Sequence, residues 1–598
     1  MAAPVDCLPT ELLAEIISIL HGDIPEQMEN GFSARWIRAT WVCRRWREAA
    51  LQNCQLWTDL STRRYVLHPE AIHAFLRRAP DAARVKVTVN AIARLGEDEE
   101  PIREDIGRAD VLWYLQRWRD RMDLTLFFMA ERNVEEDPGQ ADQHADINRL
   151  LGALGTALTS LWLGARNGGD PLHNRLILHA HRLPNLRKMV SNTVPYACDP
   201  LPCVTCIILY TVSLWGHGYL QEFLATSCPN VEDIVIHQWR TFEFQAAPAH
   251  LPLVYLERLT DLALTAASTE STSDVLALFR LGPSTSLELA PDDRDRDVVR
   301  RLLRHDAWLR ESLFSGDLEN LPVLSSTQLL QVKIRHLHDD LSIGPDESTR
   351  GDPLWLYLYG RAGPEAGDGP HWEVKSRLQD GEFVMRQNPR YLGRLLHGLP
   401  LIVQPGLVRQ FALGFPDWLS AGIRRQSLWR ELFGTFHALE SLMLCGWEFI
   451  EAATRTLEAD YTLLPLLKSL HVCISHPPAR ADADRAMMKW LAVRREMGLP
   501  LEMLELRVEK VMSPETAAFA RRLMDAAKDA QPGLRIEWHY REICDVCVWE
   551  LPNSASEADG TDEDPDAGAG DGWEWAASDE DSPSEPDDEA DSGSDNDG

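Results

Sequence analysis

Residues 501–536 open with Leu501-Glu502-Met503-Leu504-Glu505-Leu506-Arg507-Val508, turn at Ser513-Pro514-Glu515 into an Ala-rich run, and return through Pro532-Gly533 to Leu534-Arg535-Ile536. The first eight residues alternate apolar and polar, the period of a strand. Pro514 suits the first turn of a helix, where its missing N–H costs nothing, and Glu515 favours the positive helix start. Pro532-Gly533 then stops the helix. A strand, a helix and a returning strand make one coil of a layered α/β structure with a parallel sheet inside, and the reading of the chain works outward from this unit.

The strand of that unit contains the hexad aliphatic-x-x-aliphatic-x-aliphatic at Leu501/Leu504/Leu506. The same hexad occurs at Leu158/Leu161/Leu163, Val204/Ile207/Leu209, Val231/Ile234/Ile236 and Leu259/Leu262/Leu264, then at Leu329/Val332/Ile334, Val408/Phe411/Leu413, Leu439/Leu442/Leu444 and Leu467/Leu470/Val472. A chain rich in Leu and Val produces some hexads by accident, so spacing is the stronger argument. Starts at 204, 231 and 259 differ by 27 and 28 residues, and those at 439 and 467 by 28. Two segments are entered through Pro-Asn, at Pro184-Asn185 and Pro229-Asn230, a turn signal that ends whatever precedes it. Pattern and spacing resemble the leucine-rich repeat, whose units run about 20–29 residues. The Asn or Cys that normally follows the last aliphatic position is mostly missing, and spacing fails between Asp339 and Gln404, where Gly344-Pro345-Asp346 and Ala362 to Pro370 suggest an insertion. The expectation is an irregular leucine-rich-repeat-like α/β solenoid over 149–551, with an insertion near 339–404. An ordinary α/β domain with Leu-rich buried parallel strands reads the same way and stays open.

At the other end of the chain stand Leu8-Pro9-Thr10-Glu11-Leu12-Leu13, Val42-Cys43-Arg44-Arg45-Trp46 and Leu56-Trp57. Pro9, Thr10 and Glu11 suit a helix start, and Leu12, Leu13, Ile16, Ile17 and Leu20 form one apolar face at spacings of three and four. Gly22, Asp23 and Pro25 break this helix. Trp36, Ile37 and Thr40 share a face of a second helical stretch, and Val42, Trp46, Ala49 and Ala50 one of a third. A bundle this short cannot bury so many Leu, Ile and Trp side chains alone. The apolar surplus is what a docking surface needs.

These submotifs, in this order, resemble the F-box, a helical module that docks on the Skp adaptor, which in turn binds a cullin. The resemblance covers 1–61 and implies adaptor contacts at Leu8, Pro9, Leu12, Ile16, Leu20, Val42, Cys43, Trp46, Leu56 and Trp57. The stretch from Gly22 to Ser33 lengthens the gap between the first and last helices, as in many basidiomycete fungal members.

The 598 residues carry a net charge of −32, which argues against nucleic acid or an anionic membrane as a general partner. No apolar run approaches the roughly 20 residues of a membrane helix, and the first 34 residues contain no Lys or Arg, so a secretory signal with a basic start is not expected. Eleven scattered cysteines fit free thiols in a reducing compartment, hence a cytoplasmic or nuclear protein. Residues 62–148 read as a mixed region with a strand at 85–89. Residues 552–598 form an acidic tail. Its last 46 residues hold 18 Asp and Glu and no Lys or Arg, which cannot bury enough apolar surface to fold. Ser578, Ser582, Ser584, Ser592 and Ser594 each precede an acidic residue by three positions, the pattern of acidophilic kinase sites, and Trp573 and Trp575 suggest a short docking motif. Only 8 of the 60 basic residues are Lys. This suits a protein held beside a ubiquitin-charged enzyme, and an Arg-rich compositional bias explains it equally well.

Two CxxC pairs, Cys203/Cys206 and Cys544/Cys547, lie too far apart in sequence to read as a four-ligand zinc site, and His539 beside the second supplies only a third ligand. No GxxxxGK phosphate loop, GxSxG elbow or HExxH helix is present, so neither a catalytic residue nor a cofactor is expected. The sequence thus reads as an F-box substrate receptor of a Skp–cullin–F-box ubiquitin ligase. Its sheet face would meet a protein substrate through outward residues such as Trp162, Met443, His471 and Glu505. The alternative is a non-degradative scaffold whose acidic tail recruits basic partners.

Overall fold

A computed structural model describes residues 8–22, 41–61, 69–92, 109–130, 151–165, 177–191, 196–197, 199–210, 217–238, 253–266, 269–293, 314, 318–336, 354–363, 369–378, 391–414, 425–474, 484–509 and 514–541. The acidic tail, the segment holding Trp36 and the Cys544/Cys547 pair lie outside them. The chain is α/β, built on a 17-stranded, mostly parallel sheet.

All nine hexads end on strands of this sheet, seven of them with the first position two residues before the strand, and each of their apolar side chains is buried. An aliphatic at every second strand position puts one face of the strand in the core. Neighbouring hexads then align row on row. Ile207 pairs with Ile234, Ile234 with Leu262, Phe411 with Leu442, Leu442 with Leu470 and Leu470 with Leu504. A slip of one residue would turn every aliphatic to the other face, so the pattern fixes the register.

The strands stand in the sheet almost in chain order. Asp59–Ser61 lies at one edge, followed by Val85–Ile92, Met122–Ala130, Leu158–Ala165 and Lys188–Ser191. Cys206–Tyr210, Asp233–Gln238, Asp261–Ala266 and Ser286–Asp293 continue in parallel. The order then inverts once. His371–Leu378 joins Ser286–Asp293 in parallel, Leu354–Arg361 and Leu329–His336 follow as antiparallel neighbours, and Gln410–Gly414 resumes the parallel run beside Leu329–His336. Ser441–Cys445, Ser469–Ile474, Met503–Glu509 and Arg535–Arg541 complete it. The stretch where hexad spacing fails therefore supplies two strands to the sheet. They are tied to the preceding strand by Lys375, whose Nζ lies 2.9 Å from Glu288 Oε1.

Between the last five strands the connections include helices Gln426–Thr435, Trp447–Ala459, Arg485–Glu496 and Pro514–Ala530. Their apolar residues, among them Phe433, Ile450, Leu457, Trp490, Leu491, Phe519 and Leu523, share one core with the hexad aliphatics. Arg494 ties adjacent units together. Its buried guanidinium donates from Nη1 to Leu464 O and from Nη2 to Leu467 O, both at 2.9 Å, and from Nε to Leu499 O at 3.0 Å. The two Pro-Asn turns perform the same function nearer the N-terminus. Asn185 Nδ2 donates to Thr156 O at 2.6 Å, and Asn230 Nδ2 to Pro202 O at 2.9 Å, reaching back 29 and 28 residues.

Candidate functional site

The N-terminal module buries some of its apolar side chains and leaves others open. Helix Thr10–Gly22 buries Leu13 and Ile17, the positions that face the chain's own core. Helix Arg44–Gln52 crosses beside it and buries Ala49 and Ala50. Arg45 Nη2 donates to Leu8 O, and Asn53 Nδ2 to Ser18 Oγ at 3.0 Å, which holds the two helices together. Leu56 and Trp57 are buried as well, and the Trp57 N–H donates to Ala50 O at 3.2 Å. These two sequence-predicted contact residues thus help join the module to helix Pro69–Arg78.

Other apolar side chains of the module are open. Trp41 is 72 % exposed, Val42 62 %, Ile19 54 %, Leu12 45 % and Leu51 40 %. Five of the twelve large apolar side chains exposed among the described residues therefore fall within this short module. Scattered exposed apolar residues are ordinary, but a concentration of them marks an interaction surface. Of the other predicted contacts, Pro9 is exposed, while Leu8, Ile16, Cys43 and Trp46 are half-buried, and Leu8 and Trp46 pack on the core. The Trp46 indole N–H is buried with no acceptor among the described residues. Leu20 belongs to the first helix, but its side chain lies outside the described set. Ile19, Trp41 and Leu51 were not singled out from the sequence. Trp41 and Leu51 fall outside the motifs, and the 3.6-residue period puts Ile19 at the margin of the motif face, next to Leu12.

The second cluster lies on the sheet face opposite the aliphatic core. Register sets Ala412, Met443, His471, Glu505 and Glu537 in one row across five strands. Met443 packs with Ala412, Cys445 and Cys473 in a small apolar group separate from the main core. Beside it, His471 Nδ1 is hydrogen-bonded to Glu505 Oε2, and Ser441 Oγ lies 3.1 Å from His471 Nε2. Arg507 Nε donates to Glu505 Oε1 at 2.5 Å, and His539 Nε2 lies 3.8 Å from the same oxygen. Burial on its own raises the Glu505 pKa. The hydrogen bonds from His471 and Arg507, with the Arg507 charge, outweigh it and hold the carboxyl at about 2. Met443, His471 and Glu505 thus occupy the expected face but are buried, which corrects the expectation that they stand outward for a substrate. Trp162 is half-buried, with Lys188 Nζ 5.9 Å from its ring centroid.

Ser441, His471 and Glu505 form a continuous hydrogen-bonded chain, the order of groups used by acyl-transfer enzymes. Such an enzyme also needs free N–H donors beside the nucleophile. Here the Ser441 amide donates to Arg409 O at 3.0 Å, within the sheet ladder. The contacts from His471 and Arg507 compensate the Glu505 charge where it is buried. Among the described residues, no helix is long and apolar enough to cross a membrane.

No curated protein matches the sequence. Residues 5–63 match the F-box-like family model, so the chain carries an F-box-like domain, and such domains generally bind Skp-type adaptors in a ubiquitin-ligase role.

Proposed function

We propose that the chain is the substrate-recognition subunit of a Skp–cullin–F-box ubiquitin ligase, acting in the cytoplasm or nucleus. The observation that carries this reading is the surplus of exposed apolar side chains in the N-terminal module, with Trp41, Val42, Ile19 and Leu12 exposed while Leu13, Ile17, Leu56 and Trp57 are sealed. A docked partner helix would bury part of that surplus, and each fully buried aliphatic or aromatic side chain contributes about 1.5–3 kcal/mol. The register-aligned hexads support reading the sheet as an irregular leucine-rich-repeat-like solenoid, a scaffold whose sheet face suits extended protein ligands. On that face Trp162 is the predicted contact still half-exposed, and the Glu505 network lies beneath the surface.

The test is co-purification of the full chain with a Skp-type adaptor and a cullin. Wild type should bring down both. A Leu12→Asp/Val42→Asp variant, which alters only exposed positions, should lose both and melt like wild type. Retention of the adaptor by that variant would remove the docking role, and recovery of client proteins without a cullin would favour a scaffold.

A further inference from the structure

A second chemistry lies outside the docking module, on a two-stranded ladder separate from the main sheet. The short strand Ile177–Leu178 pairs in parallel with Tyr196–Ala197, with Leu178 opposite Ala197. This ladder sets the residues just after it side by side. His179 and His181 come from one segment and Asp199 from the other, and their ligand atoms all lie within 4.8 Å of one another. His181 Nδ1 is 4.0 Å from Asp199 Oδ2, and the two imidazole rings are 5.4 Å apart, centroid to centroid.

Both segments are held firmly by their neighbours. Leu178 and Leu183 bracket the histidines and are buried, and the Arg182 amide donates to His179 O at 3.0 Å. Behind them the Arg182 carbonyl approaches Gly155 so closely that a Cβ there would come within 1.8 Å of its oxygen. Asp199 is bracketed by the ladder and by buried Leu201, whose amide donates to Ser227 O at 2.6 Å. The backbone is fixed while the tips stay free, His181 being 67 % exposed.

We propose that His179, His181 and Asp199 form a binding site for a divalent transition metal of the zinc class. Two imidazoles and a carboxylate are a donor set for such ions, which they hold at about 2.0–2.2 Å. Ligands at that distance around one ion lie closer together than 4.0 Å, so binding draws the exposed tips of His181 and Asp199 inward by side-chain rotation. Three protein ligands leave a coordination position for water or for a ligand from a bound protein.

The experiment titrates the full-length, chelator-treated chain with Zn2+ by calorimetry and with Co2+ by visible absorption. One equivalent should bind, and the Co2+ spectrum should lack thiolate charge transfer. His181→Ala and Asp199→Asn should each weaken binding at least about tenfold, since even outer-sphere partners of a metal site are worth that much. A Cys203→Ser variant should bind like wild type. No saturable binding, a thiolate band lost with Cys203, or equal affinity in the His181→Ala variant would each overturn the site. All variants change exposed side chains, and unchanged thermal melting confirms that they remain folded. The readout is independent of any adaptor or cullin, so its failure leaves the ligase reading standing.

Discussion

The Trp57 indole stands edge-on to the Phe75 ring, their centroids 5.0 Å apart at 69°, with the Arg78 guanidinium carbon 4.6 Å from the Trp57 centroid. The last turn of the N-terminal module is thereby anchored in the next helix, and this separates two functions that the sequence motif runs together. Trp57→Ala removes a buried aromatic and should cost about 3–5 kcal/mol. The expected outcome is a clearly lower melting temperature, with adaptor affinity reduced only in proportion to the unfolded fraction. Leu12→Asp/Val42→Asp should do the reverse. Parallel melting and binding measurements on the two variants check the division, and a Trp57→Ala protein of wild-type stability contradicts it.

Much of the sheet was legible because the hexad states both a strand period and a facing. Three strands that no full hexad announces have one of its three aliphatic positions filled by another residue. Strand Ser286–Asp293 has Leu287 and Leu289 but Ser284 at the first position, and buried Thr285 beside it donates to Leu259 O at 2.8 Å. Strand Met122–Ala130 has Arg121 there, which donates to Leu76 O and Pro80 O at 3.2 and 3.1 Å. Strand Lys188–Ser191 ends its hexad on buried Ser191. The region of failed spacing concealed its two strands for another reason. They pair antiparallel through neighbours, so no fixed repeat length announces them. The burial of His471 and Glu505 was also unreadable, because polar residues between aliphatics look solvent-facing until cross-strand partners neutralise them.

Arg494 should be among the most costly residues to change. It is buried, donates to three carbonyls from two adjacent connections, and lies with its guanidinium carbon 5.3 Å from the Trp490 ring centroid. Burial lowers its pKa to about 10, so it stays charged at neutral pH. Lysine has the charge but not the planar fork that serves Leu464, Leu467 and Leu499 at once. Arg494→Lys should therefore destabilise by about 2–4 kcal/mol, read as a drop in melting temperature. A lysine variant with wild-type stability would show that charge, not geometry, matters there.

The Glu505 network predicts an acid-dependent loss of stability. Its pKa is about 2 in the folded chain against 4.5 for the free group. A carboxylate whose pKa is depressed on folding stabilises the protein above the unfolded value, and that contribution drains away as pH falls from about 4.5 towards 2. At about 1.36 kcal/mol per unit the whole effect is at most about 3–4 kcal/mol. Melting curves of wild type and Glu505→Gln should differ most near neutral pH and converge near pH 2. A difference that stays constant across that range would show that Gln disturbs packing and that the charge is immaterial.

Gly360 lies directly opposite Trp372 in the antiparallel pair that interrupts the parallel sheet. A Cβ at Gly360 would come within 2.1 Å of Trp372 Nε1. The indole cannot easily yield, since it is fully buried and its N–H donates to Thr327 Oγ1 at 2.8 Å. Gly360→Ala should therefore push the ring off its acceptor, combining an overpacking cost of about 1–3 kcal/mol with the loss of a buried hydrogen bond. Thr327→Val removes that bond together with the one Thr327 Oγ1 donates to Val323 O at 3.1 Å, and should cost about 1–3 kcal/mol. Because both changes break the same contact, the double variant should be less destabilised than the two single losses added together. Melting of the four proteins forms the cycle. Full additivity would mean that the Gly360 approach and the Trp372 hydrogen bond act independently.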